Sequence, residues 1–292
     1  MLEISKNLCI SVIFSTFARK FMKQQINYIT SQLRGYYPEE ELQEIAIWII
    51  EEATNLTRTQ ILTSTHACEH IQQLQEILTR LQKHEPIQYI FEHTQWMGLD
   101  LRVTPATLIP RPETAELVDW IISTCDHNTP LRIIDIGTGT GCIAIALKQR
   151  CPKWIVQGID ISLEALEVAA SNAKRNNVEV AWKQMDILTE KLDFTDIIVS
   201  NPPYICLREK VGMDARVLDY EPHTALFVPD NAPLLFYRHI ALMKSAKKLY
   251  FEVNEIYGEE VCEMMQTIGY TDVELKYDIY GKARMVFGRI EA

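Results

Sequence analysis

The sequence predicts an α/β protein: a doubly wound, mostly parallel sheet with an antiparallel hairpin at its C-terminal end, preceded by a small all-helical domain. Three observations carry this. Apolar residues recur at helical spacing between residues 22 and 85. From Leu131 onward, strand-like and helical segments alternate, the pattern of a parallel sheet covered on both faces. The last two strand-like runs are separated by only the turn residues Ile279–Lys282, too few for a crossover.

Taken in order, residues 1–21 read as an N-terminal extension. Leu8–Ala18 is a short apolar run after Lys6 that weakly resembles a signal peptide, but Arg19 and Lys20 follow at once, and Met22 is an alternative start. Residues 22–85 read as the helical domain. One helix follows Pro38, with acidic residues in its first turn and Leu42, Ile45, Ile49 and Ala53 on one face. A second, drawn from the stretch 66–86, places Ile71, Leu74, Leu78 and Leu81 together and stops before Pro86. Residues 86–105 read as a hairpin linker, with a period near two over 87–104 and a break at Gly98. Residues 106–292 form the sheet domain. Its first helix begins near Glu113, and five strand-like runs follow: LRIIDIG, WIVQGID, VEVAWKQMD, TDIIVSN and KKLYFEVN. Ser162 is placed to cap the helix after the second strand. TDVELKYD and ARMVFGRI form the closing hairpin.

The bulk composition excludes several classes. A net charge of −10 argues against a partner held mainly through phosphate contacts, so no direct nucleic-acid binding is expected. No apolar run is long enough to span a bilayer, and no membrane partner is expected. Seven scattered cysteines form no C-x-x-C pair, which fits a reducing compartment, and cytoplasmic location is expected. The seven histidines show no metal-ligand spacing, so no metal site is assigned.

Two motifs carry chemistry. The first, Asp135-Ile136-Gly137-Thr138-Gly139-Thr140-Gly141, ends a strand and opens a helix. Glycines there let backbone pass close to a ligand, and the helix start offers N–H groups. The spacing is G-x-G-x-G and residue 142 is Cys, so the third glycine of the dinucleotide fingerprint is missing. Asp160, ending the next strand, suits both hydroxyls of a ribose, and Asp186, ending the third, suits an adenine edge. All three pieces fall at carboxyl ends of strands, where open α/β sheets bind ligands. The second motif is Asn201-Pro202-Pro203-Tyr204. Two prolines remove two backbone donors but keep the carbonyls. The Asn201 side-chain oxygen and the Pro202 carbonyl are then two acceptors on a stiff turn, matched to the two hydrogens of a planar NH2 group, with Tyr204 available to stack on its face.

G-x-G-x-G with an acidic following strand end resembles the class I S-adenosylmethionine-dependent methyltransferases, and N-P-P-Y resembles those that methylate a planar NH2 nitrogen. Over about residues 22–292, the segments EPIQYIFEHTQWMGLDLRVTPATLIPRPET, DIGTGTGCIAIAL, VSNPPYI, EPHTALF and YGKARMVFGR together resemble the bacterial release factor glutamine methyltransferases of the HemK type. The resemblance implies a seven-stranded methyltransferase sheet and S-adenosylmethionine as cofactor. It implies methylation of the side-chain amide of the glutamine in the Gly-Gly-Gln tripeptide of peptide chain release factors, with the helical domain helping to bind that partner. Gly137, Thr138, Gly139, Thr140 and Gly141 would line the methionine part of the cofactor, Asp160 would hold its ribose, Asp186 and Ile187 would border its adenine, and Asn201 would lie against it. Asn201, Pro202, Pro203 and Tyr204 would hold the glutamine, with Asn201, Pro202 and Tyr204 taking the catalytic part. Ile187 stands where the family often carries an aromatic residue, Ala115 where it usually carries Glu, and Ser245-Ala246-Lys247 where it usually carries Pro-Gly-Gly.

The alternative is an amino methyltransferase acting on adenine or guanine in DNA or RNA, since those bases also present a planar NH2; the acidic charge and the lack of a basic recognition segment weigh against it. A non-catalytic module is disfavoured by the intact glycines, Asp160 and Asn201, and a dehydrogenase by Cys142.

Overall fold

The computed structural model describes residues 20–63 and 71–290. The Leu8–Ala18 run and nearly all of the expected extension over 1–21 lie outside the described residues. Two compact units divide after Phe91.

The first unit is helical. Helix α1 covers residues 20–33, α2 Glu39–Thr54, α3 Arg58–Thr63, α4 Leu74–Leu81 and α5 Ile87–Phe91. Its core gathers Met22, Ile29, Leu33, Leu42, Ile45, Ile49, Ile71, Leu78 and Leu81, including most of the positions that helical spacing selects. Ala53, one turn further along α2, is exposed instead. Tyr37 donates from its buried hydroxyl to the Leu81 carbonyl at 2.9 Å and so ties the start of α2 to the end of α4. The expected period-two stretch 87–104 divides. Pro86 starts a helical turn, its carbonyl accepting from Tyr89 and Ile90, so Ile87–Phe91 is helix rather than strand.

The second unit opens with that hairpin, β1 Thr94–Trp96 and β2 Leu99–Leu101, turned by Met97 and Gly98, both at positive φ. Helix α6 is Pro112–Thr124. Then come β3 Arg132–Ile136, α7 Cys142–Arg150, β4 Ile155–Asp160, α8 Leu163–Arg175, β5 Ala181–Gln184 and β6 Thr195–Ser200. A short segment follows: β7 Ile205–Cys206, a 3₁₀ turn Leu207–Lys210, α9 Ala215–Leu218, α10 His223–Leu226 and β8 Phe227–Val228. The chain ends with α11 Leu235–Met243, β9 Ala246–Glu252, α12 Gly258–Ile268, β10 Thr271–Tyr277 and β11 Ala283–Arg289. Ser162 caps α8 as expected, its hydroxyl accepting from Ala165 N at 3.1 Å.

The seven strands of the main sheet run in the order β10-β11-β9-β6-β3-β4-β5, five parallel and the β10–β11 hairpin antiparallel at one edge. Each central strand is apolar on both faces because each face is covered. Ile133, Ile197, Val199 and Tyr250 pack toward α6 and α7; their neighbours Ile134, Ile198, Leu249 and Phe251 pack toward α11 and α12. Chain order reverses between β3 and β6, which opens a crevice at the carboxyl ends of those two strands.

Trp182 on β5 lies across Gly158 on β4 and Gly141 at the start of α7. A Cβ at Gly158 would sit 2.3 Å from the Trp182 ring and 2.8 Å from Thr138 Oγ1; one at Gly141 would sit 2.9 Å from the same ring. Gly158→Ala is therefore expected to cost about 1–3 kcal/mol of stability, read as a lowered denaturation midpoint. An unchanged midpoint would show that the ring can move aside freely.

Among the described residues, no helix is long and apolar enough to cross a membrane.

Candidate active site

Strand register assembles the site. Ile136 pairs with Ser200, so Gly137 and Asn201 leave the sheet side by side. Ile136 also pairs with Ile159, which puts Asp160 one step beyond on the other flank. Asp160 pairs with Gln184, leaving Asp186 and Ile187 just past the end of β5. Ser200 pairs with Phe251, so Glu252 comes out next to Asn201. The result is a cleft of about 410 Å³, a size suited to a small-molecule cofactor. Gly137, Thr138, Gly139, Thr140, Asp160, Asp186, Ile187, Asn201, Pro202 and Pro203 all line it.

Most amides of the Gly-rich turn are bonded within the protein. The amides of Gly137 and Thr138 donate to the Ile159 carbonyl, Gly139 to Asp160 Oδ2 and Gly141 to the Thr138 carbonyl. The free N–H groups expected from the sequence are thus largely spent, and the turn offers little to a phosphate. It fits a ligand without one. Gly139, at φ +52, has open space where a Cβ would point. Asp160 accepts from Gly139 N at 2.9 Å and Ser162 N at 3.0 Å, one on each oxygen, and each oxygen has a further lone pair. Burial raises the Asp160 pKa, partly offset by those amides. Beneath the turn, Asp135 is fully buried and pushed up to about 7, burial being the main cause. Thr138 Oγ1 donates to its Oδ2 at 2.5 Å while Oδ1 has no partner. Of these two carboxyl groups only Asp160 lines the cleft and is within reach of a ligand. Burial also pushes the Cys142 thiol up to about 12, which removes it as a nucleophile.

Two residues of the expected set do not line the cleft. Gly141 packs under Trp182 at the start of α7. Tyr204 turns its ring against the α11–α12 side of the core, with its hydroxyl 3.3 Å from Glu252 Oε1. Asn201 keeps a polar partner inside the protein, its Nδ2 donating to Thr114 Oγ1 at 3.4 Å. Asp186 accepts the Leu188 amide at 2.9 Å and so shapes the turn that carries Ile187.

Arg111, which lines the cleft, pairs with the buried Glu221, 110 residues away. Arg111 Nη2 lies 2.5 Å from Glu221 Oε1, and Ile109 N donates to Oε2 at 3.2 Å. The Glu221 side chain is 1% exposed, and its burial raises its pKa against the pull of Arg111. Arg111→Ala leaves that carboxylate buried without a counter-charge, an expected loss of about 3 kcal/mol. Because the folded-state pKa is raised, the loss is full at high pH and shrinks as pH falls through that pKa. Melting curves of both proteins at pH 8 and pH 5 check this; an equal deficit at both would rule it out.

Asn172 is a further positioning residue that sequence reasoning missed. Fully buried, it donates to the Thr140 and Arg102 carbonyls, both at 2.9 Å, and accepts from Arg102 N. It thereby ties the Gly-rich turn to the end of β2. A lone Asn on the apolar face of α8 was the available signal. Glu221 and Glu252 were missed as well; for Glu252 the signal was a single carboxylate closing the apolar run Leu249–Phe251.

Residues 24–91 match the PrmC N-terminal domain, and residues 118–217 match the methyltransferase small domain. The release factor glutamine methyltransferase of Bacteroides thetaiotaomicron is 42% identical over 271 residues, covering 89% of this chain and 96% of that protein. The chain belongs to the release factor glutamine methyltransferase family. The member from Flavobacterium psychrophilum is 42% identical over 87% of this chain and 94% of its own length, and the one from Geobacter sulfurreducens 31% over 91% and 96%. Among solved structures, the hMettl16 catalytic domain in complex with MAT2A 3'UTR hairpin 6 has a TM-score of 0.52 at 17% identity, covering 67% of this chain and 77% of that one. That likeness concerns the fold alone. Membership makes the chain an S-adenosylmethionine-dependent methyltransferase and carries the seven-stranded expectation, which the sheet meets strand for strand.

Proposed function

We propose that this protein methylates the side-chain amide nitrogen of the glutamine in the Gly-Gly-Gln motif of peptide chain release factors. The observation that carries the reading is the emergence of Asn201 beside Gly137, which sets an amide-binding turn against the cofactor turn. S-adenosylmethionine supplies an electrophilic methyl group on a sulfonium. Asp160 would hold the ribose hydroxyls, Asp186 and Ile187 would border the adenine, and the turn from Gly137 to Thr140 would hold the methionine part, all of them residues that line the cleft. Asn201 Oδ1 and the Pro202 carbonyl accept the two amide hydrogens of the substrate. An amide nitrogen is a weak nucleophile because its lone pair is shared with its carbonyl. Two acceptors on its hydrogens favour a pyramidal nitrogen with developing positive charge. Bound S-adenosylmethionine would supply the methyl group to the amide nitrogen held by Asn201 and Pro202, and the methylated nitrogen would return to a neutral amide by releasing one of its two hydrogens as a proton to solvent. In-line placement carries much of the acceleration.

The helical region 22–85 is assigned to holding the release factor, a reading supported by the match of residues 24–91 to the PrmC N-terminal domain. No direct nucleic-acid contact is part of this reading, given the net charge of −10. The substrate is a translation factor, so the reaction belongs in the cytoplasm.

The test uses purified protein, methyl-labelled S-adenosylmethionine and a recombinant release factor, beside a release factor whose Gly-Gly-Gln glutamine is alanine. Label in the first alone is the expected result. Equal label in both would move the acceptor elsewhere, and none in either would overturn the reading.

A further inference from the structure

Beneath Asn201 lies a buried polar chain that the reaction as described does not use. Glu252, at the end of β9, is 1% exposed and forms the hub. Its Oε2 accepts from Thr114 Oγ1 at 2.6 Å, and its Oε1 faces the Tyr204 hydroxyl at 3.3 Å. Its backbone carbonyl accepts from the Tyr237 hydroxyl at 3.1 Å. Thr114 Oγ1 in turn takes Asn201 Nδ2 at 3.4 Å. One carboxylate therefore reaches both ends of the Asn201–Tyr204 turn, and Asn254 Nδ2 adds a contact to the Tyr204 carbonyl at 3.4 Å.

The donor inventory gives this chain a direction. An ionised carboxylate only accepts, and a hydroxyl has a single hydrogen to give. With that hydrogen committed to Glu252, Thr114 has only lone pairs for Asn201. Asn201 must then turn its NH2 toward Thr114 and its Oδ1 away. Among the described residues, no protein donor reaches Oδ1. We propose that Glu252 is a positioning residue for methyl transfer: through Thr114 it fixes which face of the Asn201 amide meets the substrate, and through Tyr204 it holds the far end of the same turn. A glutamine at 252 keeps the shape but brings donors. Thr114 can then give its hydrogen to Asn201 Oδ1, and the amide turns over to oppose NH2 with NH2. Burial raises the Glu252 pKa, while the Thr114 hydroxyl, Arg284 and the Tyr204 hydroxyl pull it back toward ionisation. Arg284 is itself paired with Asp278 at 3.2 Å.

The inference rests on the amide-methylation reading above, and the experiment separates the two. Wild type, Glu252→Gln, Thr114→Val and Thr114→Ser are compared in turnover on release factor, in S-adenosylmethionine affinity, and in the ¹⁵N–¹H side-chain resonances of Asn201, which are identified by their loss in Asn201→Ala. Glu252→Gln and Thr114→Val should each lower kcat about 10²-fold, with KM for release factor and cofactor affinity little changed. Thr114→Ser should recover most of what Thr114→Val loses. The double variant should be little worse than either single one, since both break the same chain. The Asn201 amide resonances should move in both single variants. Turnover within a few-fold of wild type in Glu252→Gln and Thr114→Val, or losses that multiply, would overturn the proposal. If wild type transfers no label, the amide-methylation reading falls. The Asn201 resonances then decide the positioning role alone: a shift in both variants upholds it, and unmoved signals end it.

Discussion

Asn201→Ala is expected to cut turnover by at least about 10²-fold, the usual cost of losing one preorganised hydrogen-bonding group at a reacting centre. The loss should fall in kcat, because the acceptor that Asn201 provides matters most when the substrate nitrogen gains positive charge. The backbone around it is held independently of the side chain. Ser200 donates its hydroxyl to the Ile136 carbonyl at 2.7 Å, and Pro202 and Pro203 stiffen the turn from the other side. A drop in rate will therefore not reflect collapse of the site, which a melting curve of the variant checks. Single-turnover transfer of labelled methyl is the deciding measurement, and wild-type-like rates would remove Asn201 from the chemistry.

Asp160→Ala should act on a different quantity, the affinity for S-adenosylmethionine. Two hydrogen bonds from ribose hydroxyls to a charged group are worth about 1.5–3 kcal/mol each. Their loss predicts weakening by at least about 10²-fold. The same substitution strips the acceptors from Gly139 N and Ser162 N, which loosens the Gly-rich turn in addition. Asp160→Asn keeps one oxygen and should fall between the two. The pH dependence has a definite sign. Burial raises the Asp160 pKa, and the ionised form is the better acceptor, so affinity falls on acidification at a pH above the ordinary aspartate range. Titration calorimetry on the three proteins measures all of this; unchanged affinity in Asp160→Ala would refute the assignment.

The sequence by itself determined the sheet, its closing hairpin and the two turns that face the cleft. Those features are local. An apolar run that alternates with helices, a glycine cluster at a strand end and a double proline all state their geometry within a few residues. Where local chemistry was ambiguous, the reading slipped. Pro86 opened a short helix in a stretch read as strand. Gly141, read with the cofactor, packs under Trp182 and does not line the cleft. Tertiary structure alone decided the partners. Thr114 and Glu252 lie 138 residues apart, and Arg111 and Glu221 lie 110 apart. Nothing in either segment announces the other, because their meeting depends on the pairing of β6 with β9 and on the fold of the segment between β6 and α11. Strand register is a property of the assembled sheet, and it is register that brings Glu252 out beside Asn201.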